Sequence, residues 1–249
     1  MKTTLLAAVS LIAVGTASAH AADLSARAYS KAPAMVATIF DWSGFYVGVN
    51  GGGGSSHKCW ANTSTIPNSA EGCHDATGGL VGGQIGYRWQ SAGWVAGLEA
   101  QGDWANLRGS NASVFLPGAV NQTKVNALGL LTGQVGYAWN NVLWYLKGGA
   151  AVADDKYTGV AAATGTPFDQ ASATRWGGAI GTGVEVSFAQ NWSLGLEYDH
   201  LFMGNRNVTL TTTTPPVGAF SRTDNVRQDV DMGTVHVNYR WGGPVIAKP

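Results

Sequence analysis

Residues Asp231–Trp241 read DMGTVHVNYRW, and this stretch decides the fold. Counting back from Trp241, every second residue is apolar or small: Tyr239, Val237, Val235 and Gly233. Between them lie Arg240, Asn238, His236 and Thr234. A period of two is a β-strand, and this one has a greasy side and a polar side. In a soluble sheet the greasy side meets a packed core. The aromatic residues gathered at one end of this strand point to a lipid face instead, provided that other segments repeat the pattern.

Seven further segments repeat it. They are Phe45–Gly53, Gly79–Trp89, Trp94–Trp104, Lys124–Trp139, Val142–Ala153, Thr174–Phe188 and Trp192–His200. In the fourth, Val125, Ala127 and Leu131 are placed on the outward face. Connections alternate between long and short. The short ones are Gln90–Gly93, Asn140-Asn141 and Ala189–Asn191. The long ones are the polar segments 55–77, 105–123, 154–173 and 201–227, read here as loops. A sandwich has no reason to put every long connection at one end, whereas a barrel inserted from one side does. Gly83–Trp89 (GQIGYRW) is echoed by Gly133–Trp139 (GQVGYAW), as a hairpin repeat requires. The expected fold is all-β: an eight-stranded antiparallel up-and-down transmembrane β-barrel with short periplasmic turns and long extracellular loops.

Trp89, Trp94, Trp139, Trp144, Trp192 and Trp241 fall at strand ends beside the short turns or near the C-terminus, on the apolar parity. Phe45 and Phe188 join them. This is the pattern of an aromatic girdle at one membrane interface. Trp104 and Trp176, at the opposite strand ends, begin a second. The other parity carries Arg88, Glu99, Gln101, Asp103, Lys147, Arg175, Glu185, Glu197, Asp199 and Arg240. Eight strands make a barrel just wide enough for side chains to fill. These charges are therefore expected to pair across the lumen and plug it, an ion path being the other reading, since an unpaired buried charge is costly.

Composition agrees. Charged residues make up 12% of the 249, the net charge is zero, and there are 35 Gly and 10 Trp. A neutral chain gives no reason to expect nucleic acid. Past the leader no run approaches the roughly 18 apolar residues of a membrane helix. Lys2 followed by apolar Leu5–Val14 reads as a secretory signal cleaved after Ala19 or Ala21. The expected organisation is a signal peptide over 1–21, a flexible periplasmic segment over 22–42, the barrel over 43–241 and a tail over 242–249. Two cysteines, Cys59 and Cys73, lie in one polar segment of an exported chain and are expected to pair, for roughly 3 kcal/mol of lost chain entropy. With His57 and His74 beside them they could in principle bind zinc, but a metal site needs more ligands than these four supply, so no metal and no cofactor is expected.

Trp42–Gly48 (WSGFYVG), the GQIGY echo, Glu197-Tyr198 and the ending Val237–Pro244 (VNYRWGGP) resemble the small Gly-rich outer-membrane β-barrels of alphaproteobacteria. These are the porin-family or outer-membrane immunogenic proteins, with an architecture like the OmpA-type barrel. The resemblance spans essentially the mature chain. It implies an outer-membrane location, contact with the bilayer and its lipopolysaccharide, and loops exposed to external ligands or host surfaces. It transfers no catalytic residue. Four functions follow: a structural and surface-interaction barrel, a porin-like channel for small solutes, capture of a ligand such as haem, or a lipid-directed enzyme. The first leads. For haem, which some relatives are reported to bind, His57 and His74 are the candidate axial ligands. For an enzyme, His200 lies near the outer rim, but no Ser-His-acid spacing is readable.

Overall fold

A computed structural model describes residues 40–64 and 68–241. The leader, residues 22–39 of the N-terminal segment and the tail over 242–249 lie outside the described residues.

Eight strands follow one another: β1 (Gly44–Asn62), β2 (Ser69–Ser91), β3 (Trp94–Ala112), β4 (Ala119–Trp139), β5 (Val142–Ala161), β6 (Pro167–Ala189), β7 (Trp192–Thr212) and β8 (Phe220–Trp241). Each pairs antiparallel with the next, and β8 pairs back onto β1, closing the barrel. Burial alternates residue by residue along β3, with the even positions from Trp94 to Arg108 exposed and the odd positions buried. The sheet thus has an apolar outside and a packed inside, as the period of two dictates.

The strands are longer than the sequence reading made them. The segments 55–77, 105–123, 154–173 and 201–227 are mostly strand, and the connections at that end shrink to 63–68, 113–118, 162–166 and 213–219. The physical reason is a change of solvent at an unchanged ladder. Beyond the outer aromatics the outward positions become polar, as at Arg108, Ser110, Lys156 and Thr158, because they no longer face lipid. The apolar alternation fades while the hydrogen-bonded pairs continue, from Cys59↔Cys73 to Asn111↔Asn121.

Two irregularities matter. Val125, expected outside, is fully buried inside. The ladder shifts between Val125 and Ala127, and one inserted residue exchanges the two faces. The β6–β7 seam is paired from Gly178↔Phe202 towards the short turns, and again at Gln170↔Thr211, with no rungs between.

Gly52 marks how tightly the seam between the first and last strands closes. A Cβ there would collide with the Gly233 carbonyl, whereas at Gly51, which faces outward, it meets nothing closer than 3.8 Å. Gly52→Val is expected to abolish the heat-modifiable folded band of the refolded protein, and Gly51→Val to leave it intact.

Candidate functional site: a layered lumen

The interior is built in strata, and three strands pass through them in the same order. From the short-turn end, β8 points Arg240, Asn238, His236 and Thr234 inward, then Met232 and Val230, then Gln228, Val226, Asp224 and Arg222, all buried. Across the barrel, β5 gives Leu143, Tyr145 and Lys147, then Ala151 and Ala153, then Asp155 and Tyr157. β1 gives Tyr46 and Asn50, then small Gly52 and Gly54, then Lys58 and Trp60.

At the short-turn end Trp42 is 1% exposed, packed with Val95, Ala138, Leu143 and Tyr145, with Phe40 against it. Its backbone N–H donates to Gln90 Oε1 at 2.6 Å and its indole N–H to the Asn140 carbonyl at 3.1 Å. The chain over 40–42 is therefore anchored and is no part of a flexible segment. A large ring with a satisfied N–H gains too much by burial to stay in water. Arg240 lies here, its guanidinium 4.5 Å from the Phe40 ring.

The first ionic layer follows. Arg88 pairs with Glu185 at 2.8 Å and lies 4.4 Å over the Tyr46 ring. Tyr46 donates to Glu99 at 2.7 Å, and Tyr145 to Glu197 at 2.6 Å. Lys147 gathers Glu197, Asp199 and Glu99 at 2.5, 3.2 and 3.5 Å. Asp103 accepts from Gln101 at 3.0 Å. The structure thus brings together seven of the nine charges named from sequence. Arg240 sits at the mouth instead, and Arg175 belongs to a separate layer.

Next comes an apolar disc that the sequence reading missed. Leu80, Leu107, Val125, Leu128, Leu130, Leu201, Met203, Val230 and Met232, with several alanines, form one contiguous buried cluster supplied by β2 to β8. β1 contributes room rather than bulk, since a Cβ at Gly54 would meet Leu107 and Met232.

Two outer ionic layers lie beyond. In the nearer, Lys58 and Asp155 pair at 2.7 Å, Arg175 approaches Asp155 at 3.6 Å and also donates to the Val226 carbonyl. Burial pushes the Lys58 ammonium down to about 8, against the opposing pull of Asp155. Trp60, Tyr157, Val208, Leu210 and Val226 cap this layer. In the outermost, Arg222 serves Asp169, Glu71 and Asp224 at 3.1, 3.3 and 3.4 Å. One cation faces three carboxylates. Burial, partly offset by Arg222, pushes Asp224 up to about 6. The parity signal for these residues was present in the sequence but lay in segments read as loops.

The histidines named as ligands do not meet. Cys59 and Cys73 are joined across β1 and β2, so neither is a thiolate ligand. His57 is outside the wall, 2.6 Å from Asp75. His74 is inside, its two ring nitrogens bonded to Asn111 at 2.7 Å and Thr123 at 3.0 Å. Neighbours in a ladder on opposite faces cannot supply two axial nitrogens to one iron. His200, on the outer wall, is 2.7 Å from Asp231, which also accepts from Tyr198 at 2.6 Å.

On the outside, Trp89, Trp94, Trp139, Trp144, Trp192 and Trp241 are all exposed around the short-turn end. Ring pairs link several of them through tyrosines, as in Trp94–Tyr137–Trp139 and Trp192–Tyr239–Trp241, with centroids 4.9 to 5.5 Å apart. Trp104 and Trp176 project at the other end, 75% and 73% exposed.

A closed barrel with exposed apolar side chains between two aromatic levels and ions within is a transmembrane β-barrel. The chain belongs to the outer membrane protein beta-barrel domain family, whose model matches residues 6–240, and its place is the outer membrane of a Gram-negative cell. The 31 kDa outer-membrane immunogenic proteins of Brucella melitensis biotype 1 and Brucella suis biovar 1 are each 32% identical over 222 residues, covering 84% of this chain and 90% of theirs. Among solved structures, Pseudomonas aeruginosa OprG is 10% identical with a TM-score of 0.47, covering 80% of this chain and 97% of its own. Neisserial surface protein A is 14% identical with a TM-score of 0.39, covering 80% and 98%. In an outer-membrane barrel the short turns face the periplasm, so the short-turn end is periplasmic and the far end extracellular.

A carboxyl raised by folding binds its proton more readily in the native state than in the unfolded one. Between pH 6 and the ordinary carboxylate range near 4, acidification therefore stabilises the fold through Asp224. Its full extent is about 3 kcal/mol. Asp224→Asn is expected to abolish this gain, measured as the unfolding free energy of the refolded protein at pH 4 and pH 6.5.

Proposed function

We propose that this protein is a structural barrel of the outer membrane that displays its extracellular rim and conducts no solute. The observation that carries the reading is the apolar disc from Leu80 to Met232, which lies between two ionic layers. An ion crossing it would shed its water without gaining a partner. The Trp42 cluster at the periplasmic mouth is a second closure. Arg88, Glu99, Lys147, Glu185, Glu197 and Asp199 act as a rivet rather than a path, each charge being met by an opposite charge within the wall. The six short-turn tryptophans serve as the inner interfacial belt, and Trp104 and Trp176 belong to the outer one. The exported form begins after residue 19 or 21 on this reading, and 242–249 is a C-terminal tail.

Display of the rim suits the relatives' description as immunogenic, which is a property of those proteins. Exposed Val114, Phe115, Leu116 and Val217 on the extracellular connections, with Phe220 at the start of β8, offer external partners an apolar surface. No catalytic role is assigned, His200 being engaged with Asp231 and set edge-on against Phe202.

Refolded mature protein in planar bilayers is expected to show no unitary conductance above leak. Leu107→Ser combined with Leu201→Ser and Met232→Ser should open a water path and produce one. Steady openings of the parent, reduced by Glu99→Gln, would favour the porin-like channel instead.

A further inference from the structure

Three cations stand side by side on the outer surface of the wall. Arg108 on β3 is the ladder partner of Lys124 on β4, and Lys124 is the ladder partner of Lys156 on β5. Their sequence neighbours Leu107, Thr123, Val125, Asp155 and Tyr157 are buried inside, so all three side chains lie on the outward parity. Like charges directly opposite in a ladder repel one another. The outer-wall ion pairs are His57–Asp75, His200–Asp231 and Arg227–Asp229, and among the described residues none includes these three cations. Arg108 makes only a neutral bond, to Asn106 Oδ1 at 2.8 Å. The nearby carboxylates are engaged elsewhere: Asp154 accepts from Asn126 at 3.2 Å, and Asp75 is held by His57 at 2.6 Å.

The row lines an open groove of about 580 Å³, together with Ser110, Gln122 and Thr158. Three positive charges ringed by hydroxyl and amide groups fit an anion with several charged oxygens and neighbouring sugar hydroxyls. The height of the groove selects the source. Arg108 lies four residues beyond Trp104, which is about 13 Å along the strand and about 10 Å in height at the usual barrel tilt. That is the level of the polar headgroups of the outer leaflet. Directly beneath the row lie the outward polar residues Asn106 and Asp154, and below these the outward face is apolar, with Trp104 and Leu131 75% and 64% exposed.

We propose that Arg108, Lys124 and Lys156 bind the phosphates of the lipid A portion of lipopolysaccharide, whose acyl chains then lie against Trp104 and Leu131. The inference rests on the extracellular orientation of this end and is independent of whether the lumen conducts.

The test uses folded mature protein in detergent, with heat-modifiable mobility as the folding check. Bisphosphorylated lipid A is titrated against dephosphorylated lipid A in the same micelles. The parent is expected to bind the phosphorylated form at least about tenfold more tightly. Replacing Arg108, Lys124 and Lys156 together by Ser should weaken that binding on the order of a hundredfold. Arg227→Ser, on the same outer wall, should leave it unchanged. If the triple variant does not fold, each single Ser variant should lose about fivefold. Equal binding of the two lipids, or a folded variant that keeps the preference, overturns the proposal. So does full displacement of the lipid by inorganic phosphate or a soluble sulfated polysaccharide, which would make a free polyanion the occupant. Conductance of the parent is a separate measurement, and its outcome leaves this one standing.

Discussion

Hydrocarbon offers no partner to a backbone N–H or C=O, so a wall of strands in a bilayer must return to its own first strand. Here that return is the pairing of β1 with β8, from Phe45↔Trp241 to Asn62↔Asp224. Everything else follows from it. Closure fixes which parity faces out, and parity places tryptophan in the interface and ions within. The barrel's small radius then brings side chains from opposite walls into contact, so each interior residue is chosen against a partner distant in sequence. Tyr46 meets Glu99, and Lys58 meets Asp155, only because the ring is shut.

The interior answers a second constraint. A charge removed from water needs an opposite charge and hydrogen bonds, or it destabilises the fold. The lumen meets this by confining ions to discrete layers and separating the layers with hydrocarbon. Lys147 is shared by three carboxylates and Arg222 by three more, so each layer is a knot rather than a series of isolated pairs. The apolar disc between them separates the layers from one another.

The alternation of β8 carried the fold, and the short turns carried the strand count, because both are local properties of the chain. What escaped the sequence escaped for identifiable reasons. Lys58, Asp155, Asp169, Arg222 and Asp224 sit on inward parity in stretches whose outward residues are polar, so the contrast that reveals a strand is absent there. Val125 was misplaced because a bulge leaves no mark in hydrophobicity. Trp42 looked like part of a linker because the stretch 22–41 before it, with its Ala and Ser, carries no period, and only the finished barrel supplies the hollow that receives it. His57 and His74 seemed adjacent, yet pairing of Cys59 with Cys73 sets the register that puts one histidine on each side. Parity combined with the disulfide would have separated them in advance.

The β6–β7 boundary lacks rungs between Gly178↔Phe202 and Gln170↔Thr211, a gap that takes in Trp176 at the outer aromatic level and the residues beyond it. Its edges are spanned by the Arg206 guanidinium, which donates to the Thr174 carbonyl at 2.5 Å, and backed by Ala171 and Ala173 against the Trp60–Tyr157 cap. Water can satisfy bare amides at that height, which hydrocarbon could not. The cylinder is therefore zipped unevenly around its circumference. Its exterior crown parts most readily along this one line while the membrane collar below stays shut, so local breathing of the rim is decoupled from the integrity of the span.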